Sequence, residues 1–169
     1  MNIRRLTPLD AAAFQALRLA GLRDEPSAFG SSYEEERSES LADVERRLLP
    51  LADRGVFGAF EREQLVGVVA LGREGMNKHS HKAFVWGLYV APPSRGKGLG
   101  RRLLAQALAL AQSVAGLRQV NLCVNSGNVG ALRLYESLGF KAFGREPGAM
   151  LIDGELHDET HMCLPIQRR

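Results

Sequence analysis

Eight residues constrain this chain more than any others: Arg95-Gly96-Lys97-Gly98-Leu99-Gly100-Arg101-Arg102. They follow Trp86-Gly87-Leu88-Tyr89-Val90, a run rich in aromatic and β-branched residues that reads as a strand, closed by Pro92-Pro93. They precede the most regular apolar stripe in the sequence, Leu103, Leu104, Ala107, Leu108, Ala111 and Val114, which recurs at helical spacing. The glycines therefore occupy a strand-to-helix turn, where the first amides of the helix lack carbonyl partners and the helix dipole favours an anion. Glycine lets the backbone approach phosphate oxygens closely, and Arg95, Lys97, Arg101 and Arg102 add positive charge. The turn predicts a phosphate-bearing ligand. Two familiar phosphate loops fail by spacing. G-x-G-x-x-G ends on Arg101 in one register and Leu103 in the other, and Gly96-Lys97 is followed by Gly98 where a nucleoside-triphosphate loop needs Ser or Thr.

Around this turn, strand and helix signals alternate. Asn2 to Leu6 reads as a strand, and Thr7-Pro8-Leu9-Asp10 opens a helix to about Ala20 with Ala13, Phe14, Leu17 and Ala20 as its stripe. Gly21 to Glu39 reads as a polar loop with room for a helical turn. Ser40 to Asp43 caps a second helix, with Val44, Leu48 and Leu51 on one face. Val56 to Phe60 and Leu65 to Leu71 form a hairpin, and Lys82 to Val90 is the next strand. After the long helix come a buried strand, Val120 to Val124, a helix from Asn128 to Leu138 stopped by Gly139, and final strands over Phe140 to Phe143 and Leu156 to Leu164. This order argues an α+β architecture.

Beyond the turn, the sequence Asn128-Val129-Gly130-Ala131-Leu132-Arg133-Leu134-Tyr135-Glu136-Ser137-Leu138-Gly139-Phe140 supplies a second signature. Together the two resemble the GNAT family of N-acetyltransferases: Arg/Gln-x-x-Gly-x-Gly in the turn and Asn-x-x-Ala-x-x-x-Tyr-x-x-x-Gly-Phe downstream, at the expected separation, with element order fitting from about Asn2 to Leu164. The resemblance implies the GNAT fold: a mixed, mostly antiparallel twisted sheet of about seven strands with about four helices, and a cofactor cleft where strands 4 and 5 splay. It implies acetyl-CoA as co-substrate and no metal. Backbone groups of Leu88, Tyr89 and Val90 would hold the pantetheine arm and acetyl group. Arg95, Gly96, Lys97, Gly98, Leu99, Gly100 and Arg101 would hold the pyrophosphate, Asn128 would meet the cofactor arm, and Tyr135 would stand near the sulfur.

The chemistry expected is transfer of acetyl to a primary amine of a small molecule or peptide, by direct attack through a tetrahedral intermediate. Tyr135, a phenol of reference pKa about 10, would act as general acid toward a thiolate whose acid lies at ~8.5 to 10. Some relatives that acetylate protein N-termini carry a glutamate base on the fifth strand. Aligned on Asn128, this chain has Cys123 there, read as a small core residue. Base candidates are therefore Glu34, Glu35 or Glu36 in the acidic loop and Asp158 or Glu159 on the last strand, with Glu34 and Glu159 first and relaying waters as the alternative. A catalytically idle acetyl-CoA-binding or sensing domain is the competing reading.

Composition narrows the partners. The 169 residues carry a net charge of +3, are 45% hydrophobic and include two cysteines, Cys123 and Cys163. These numbers and the absence of an apolar leader or span suggest a single domain over 1–169, cytoplasmic and independent of a membrane, which the resemblance makes an N-acetyltransferase domain. Residues 1 to 53 hold 7 basic and 10 acidic side chains, residues 54 to 169 hold 15 and 9. The basic excess clusters at one glycine turn without interleaved aromatic residues, which argues against nucleic acid. The acidic part suggests a cationic acceptor. Neither His79-x-His81 nor His157-Asp158-Glu159-Thr160-His161 is expected to hold a metal: the second resembles a zinc helix motif only superficially, because its glutamate is displaced by one residue and Leu156, Met162 and Leu164 suggest a strand. The family resemblance also allows a homodimer.

Overall fold

A computed structural model describes residues 2–166. Its seven-stranded sheet has the order β1-β2-β3-β4-β5-β7-β6. The strands are β1 (Asn2–Arg5), β2 (Arg54–Glu61), β3 (Gln64–Arg73), β4 (Lys82–Val90), β5 (Gln119–Asn125), β6 (Lys141–Ile152) and β7 (Glu155–Pro165). Every neighbouring pair is antiparallel except β4 and β5. Helices α1 (Ala11–Asp24), α2 (Tyr33–Glu36), α3 (Leu41–Arg47), α4 (Leu99–Ser113) and α5 (Val129–Ser137) cover both faces.

The apolar patterns explain the layering. Strand β2 is buried along both of its faces from Gly55 to Phe60, because one face packs on α4 and the other on α1. On the α4 side, Leu103, Leu104, Ala107 and Ala111 are fully buried against Phe57, Val69 and Val120. On the α1 side, Phe14, Leu22 and Val44 close over Leu6, Val56 and Tyr89. Burying these side chains contributes roughly 1.5–3 kcal/mol each.

Several local expectations shift. The Asp10 carboxylate accepts from the Thr7 amide at 2.8 Å as a cap should, but Pro8–Asp10 form a 3-10 turn and the α-helix runs on to Asp24. Its buried face is Ala11, Phe14, Arg18, Gly21 and Leu22, while Ala13 is exposed. The stripe is rotated because Arg18 belongs to it. Ser40 caps α3 as expected, yet Leu51 lies beyond the helix and is exposed. The polar loop contains a single α-turn, which makes five α-helices among the described residues where about four were expected. The penultimate strand reaches Ile152 instead of stopping at Phe143. Pro147 and Gly148 read as turn residues, but an edge strand tolerates a missing amide, and a register shift between Glu146 and Met150 absorbs them.

Candidate functional site

Strands β4 and β5 pair only at Lys82–Gln119, Ala83–Val120 and Phe84–Asn121. Beyond that point both continue, β4 to Val90 and β5 to Asn125, without pairing to each other. A bulge helps to bend β4 away: Ala70 opposes Trp86 and Val68 opposes Tyr89, so Gly87 and Leu88 together face one residue of β3. Gly87 takes φ +65°, in the left-handed region that glycine tolerates. The splay opens a cavity of about 390 Å³ between β4, β5, α5 and the loop 27–31.

The glycine turn follows the splayed end of β4 and lines a separate cavity with Val90 and Leu134, the residue before Tyr135. Gly96 and Gly98 adopt φ +75° and +71°, and a Cβ at either would meet no atom of the protein within 4 Å. Gly98 is the N-cap of α4. Among the described residues, no amide from Gly96 to Arg101 donates to a backbone carbonyl. The turn is therefore a concave set of open donors at a helix N-terminus, which fits a pyrophosphate. Its cations have protein partners. Arg95 Nε donates to the Val90 carbonyl at 2.8 Å while Nη1 pairs with Glu25 at 2.5 Å, Lys97 pairs with Glu61 at 2.8 Å, and Arg101 donates to Ser137 Oγ at 2.8 Å.

The remaining site residues named from the sequence divide by place. Tyr135 lines the central cavity at 7% exposure, its ring edge-on to Phe140, and burial pushes its phenol up to about 12. Leu88 also lines that cavity, whereas the Tyr89 side chain turns away into the α1 core. Asn128 is the cap of α5 rather than its first residue, its Oδ1 accepting from the Ala131 amide at 3.0 Å, and it too borders the cavity. Glu159 lines the same cavity.

The three consecutive glutamates have three different fates. Glu34 is exposed and borders a second cavity of about 560 Å³, which shares Phe29, Gly30 and Ser31 with the first. Glu35 accepts from the Ser32 amide at 2.8 Å in a capping box. Glu36 is buried and receives two hydrogen bonds from Arg18, at 2.7 Å from Nε and 2.6 Å from Nη2. Burial pulls the Glu36 carboxyl up, but hydrogen bonds from Arg18 and Ser31 outweigh it and hold the group below the usual carboxylate range. Asp158 is occupied by Arg145 and the Gly148 amide, which lower its pKa.

Arg18 is the site residue that sequence reasoning missed. It is 7% exposed, lies over the rings of Phe29 at 4.9 Å and Trp86 at 5.4 Å, and lines the central cavity. The available signal was a cation at the centre of a Phe14-Arg18-Leu22 stripe. Cys123 was misplaced. Strand β5 alternates, sending Val120, Leu122 and Val124 into the core and leaving Cys123 half-buried on the cleft side. Among the described residues, no group of three or more His, Cys, Asp and Glu could hold a metal ion, and no helix is long and apolar enough to cross a membrane.

Comparison with known proteins agrees with this geometry. The family model described as the acetyltransferase (GNAT) family matches residues 20–140. A mycothiol acetyltransferase from Thermobispora bispora is 39% identical over 137 residues, covering 78% of this chain and 43% of that protein. An aminoglycoside N(6')-acetyltransferase type 1 from Stenotrophomonas maltophilia is 34% identical, covering 83% of this chain and 86% of that one. The chain thus spans less than half the length of the mycothiol enzyme. Among solved structures, a GNAT-family acetyltransferase from Streptococcus pneumoniae superposes with a TM-score of 0.86 at 22% identity, covering 98% and 99% of the two chains. The yncA structure from Salmonella typhimurium, solved with its cofactor acetyl-CoA, gives 0.83 at 24% identity, covering 100% and 95%.

Proposed function

Because the chain belongs to the GNAT acetyltransferase family, we propose that it is a single acetyltransferase domain that moves an acetyl group from acetyl-CoA to a primary amine. The observation that carries this reading is the splay of β4 from β5 beyond Phe84, with the open amides of Gly96 to Arg101 following the splayed end of β4 and Tyr135 in the cavity. The turn amides would hold the pyrophosphate. The unpaired edge of β4 from Leu88 to Val90 would hold the pantetheine arm and acetyl group through backbone atoms. An amide there would stabilise the developing oxyanion.

The acceptor enters between the loop 27–31 and β7. An alkylammonium of pKa near 10.4 must lose a proton before it attacks. Glu159 is the base candidate in the central cavity, acting directly or through water. Glu34 borders the second cavity and is better placed to attract a cation than to deprotonate the attacking nitrogen. Tyr135, held near 12 by burial, stays protonated throughout the physiological range. Its proton transfer to a thiolate of ~8.5 to 10 is uphill by roughly 3–5 kcal/mol, so the proton moves as the carbon–sulfur bond breaks, not before.

The relatives include mycothiol, spermidine and aminoglycoside acetyltransferases. They support small amines as the first acceptors to screen. CoA release should be followed across polyamines, aminoglycosides, amino acids and peptides. Tyr135→Phe should lower kcat roughly 100-fold with the KM for acetyl-CoA unchanged. An unchanged rate would remove Tyr135 from the mechanism, and acetyl-CoA binding without turnover on any amine would favour a sensing domain.

A further inference from the structure

Arg18 has one edge that the fold does not use. Its Nε and Nη2 donate to Glu36 at 2.7 and 2.6 Å, and Nη2 also donates to Ser31 Oγ at 3.0 Å. Nη1 is buried, and among the described residues it meets no acceptor. The side chain is only 8% exposed and its guanidinium is flanked by the rings of Phe29 and Trp86, so it is not free to turn toward a partner elsewhere. An unpaired buried donor is costly, and in folded proteins such groups ordinarily have a partner. Arg18, Phe29, Ser31, Trp86 and Gly87 all line the central cavity, which is where a partner can come from.

Gly87 fixes the place more closely. A Cβ there would stand 2.9 Å from Nη1 and 3.9 Å from Cζ and, chain neighbours aside, would meet no other atom within 4 Å. The free edge of the guanidinium therefore faces the bare backbone of the β4 bulge, one residue before the Leu88–Val90 edge proposed to hold the acetyl group. Consecutive Cα atoms are about 3.8 Å apart, a spacing that suits an attacking nitrogen at Leu88 and an oxygen at Nη1 carried on adjacent carbons. Charge selects among such oxygens. Glu36 already balances Arg18, and Glu159 lines the same cavity. A substrate carboxylate would add an uncompensated negative charge in a buried place, whereas a hydroxyl or amide carbonyl accepts from Nη1 without one.

Resting on the acetyl transfer proposed above, we infer that Arg18 binds the acceptor, its Nη1 donating to a neutral oxygen on the carbon next to the one that bears the amine. The substrate class is an N–C–C–O unit: a 2-amino alcohol, as in an amino sugar, or an α-amino amide, as at a peptide N-terminus. Glu36 and the two rings hold the guanidinium without using Nη1, so the donor is in position before the acceptor arrives. An amine without that oxygen leaves Nη1 unpaired and is selected against, which is how a buried donor separates substrates of similar size. The nitrogen still attacks the acetyl carbonyl directly, and Arg18 sets which amines do so efficiently.

The test compares 2-aminoethanol, glycinamide, glycine and propylamine on the full chain, as kcat/KM per unprotonated amine, with acetyl-CoA affinity measured in parallel by calorimetry. In the parent, 2-aminoethanol or glycinamide should exceed propylamine by roughly tenfold or more, with glycine below both. An advantage held by 2-aminoethanol alone assigns a hydroxyl, and one held by glycinamide alone assigns an amide. Arg18→Lys keeps a cation for Glu36 but lacks the second edge, and Arg18→Met with Glu36→Leu removes the pair together. In both, the preference over propylamine should fall to within roughly threefold. A purely structural role would lower all four amines together and leave the ratio, and the parent's own preference decides the class even where a variant fails to fold. The inference is overturned if propylamine matches the oxygenated amines, if glycine is preferred, if turnover is confined to amines without the N–C–C–O unit, or if the preference survives in both variants. Each of those results leaves the acetyl transfer standing, whereas acetyl-CoA binding without turnover on any amine would sink the proposed function as well.

Discussion

The two sides of the cleft are built from different materials. The turn from Gly96 to Arg101 presents backbone amides, and its shape follows from two positive-φ glycines within one short segment. The opposite side presents side chains gathered from α1, the loop 27–31, α2 and the tip of the β6–β7 hairpin. A surface made from backbone fails when its geometry is altered but leaves the core alone. A surface made from interlocking side chains is part of the core, so altering it should cost the fold before it costs the ligand.

The largest expected effect lies on the side-chain side. Arg18 and Glu36 have side-chain exposures of only 8% and 10% and are joined by two hydrogen bonds. Arg18→Met removes the cation and leaves a buried carboxylate unpaired, which should cost roughly 3–5 kcal/mol of stability. Arg18→Met with Glu36→Leu should restore most of it. Chemical denaturation measures both. A single variant as stable as the parent would show that α1 and α2 are not locked through this pair.

Gly96→Val tests the other half of the contrast. The new Cβ meets nothing in the protein, so the fold loses only the strain of a left-handed residue, about 1–2 kcal/mol. The branched side chain would enter the space in front of the open amides. The KM for acetyl-CoA should rise at least tenfold with the KM for the amine unchanged. Equal effects on both KM values would mean that the two sides are mechanically coupled.

Acid should discriminate the same two sides, with a smaller effect. A hydrogen bond from Arg4 holds Asp10 at about 2, where Asp10 caps the turn leading into α1, and Glu36 is also held below its ordinary value. Both carboxylates bind protons more weakly folded than unfolded. Their contribution is complete above about pH 5 and is lost as the pH falls through the folded values. Hydrogen exchange at pH 3 should therefore show α1 and α2 opening before α4. Opening of α4 first would reverse the assignment of which side is cemented by side chains.

This difference in construction also explains what the sequence disclosed. The turn, α4 and Tyr135 were legible because each depends on residues a few positions apart: two glycines, a stripe of period 3.6, and a tyrosine seven residues after a helix cap. The Arg18–Glu36 pair joins residues eighteen apart through the packing of α1 on α2, and no local pattern announces it. Strand β6 was cut short because Gly144, Pro147 and Gly148 carry turn signals, which only its edge position and bulge make tolerable. Cys123 was read as core from its type. The alternation of Val120, Leu122 and Val124 around it places it on the other face.

The smallest effect separates three residues that composition treats as one acidic run. Glu35→Gln removes an exposed capping carboxylate and should leave catalysis unchanged, because its oxygen is committed to Ser32. Glu36→Gln belongs with Arg18 and should act through the fold. Glu34→Gln alone should act on the acceptor: Glu34 is exposed beside the second cavity, with Asp153 across from it, and that cavity adjoins the first at Phe29, Gly30 and Ser31. Exposed charges interact at about 0–1 kcal/mol and are screened by salt. Glu34→Gln should therefore raise the KM for an elongated polyamine by roughly two- to fourfold at low ionic strength, less at high salt, and leave a monoamine unaffected. If the mono- and polyamine respond alike, the second cavity does not hold the far end of the acceptor, and the acidic excess of the first 53 residues serves only to bring cations near the cleft.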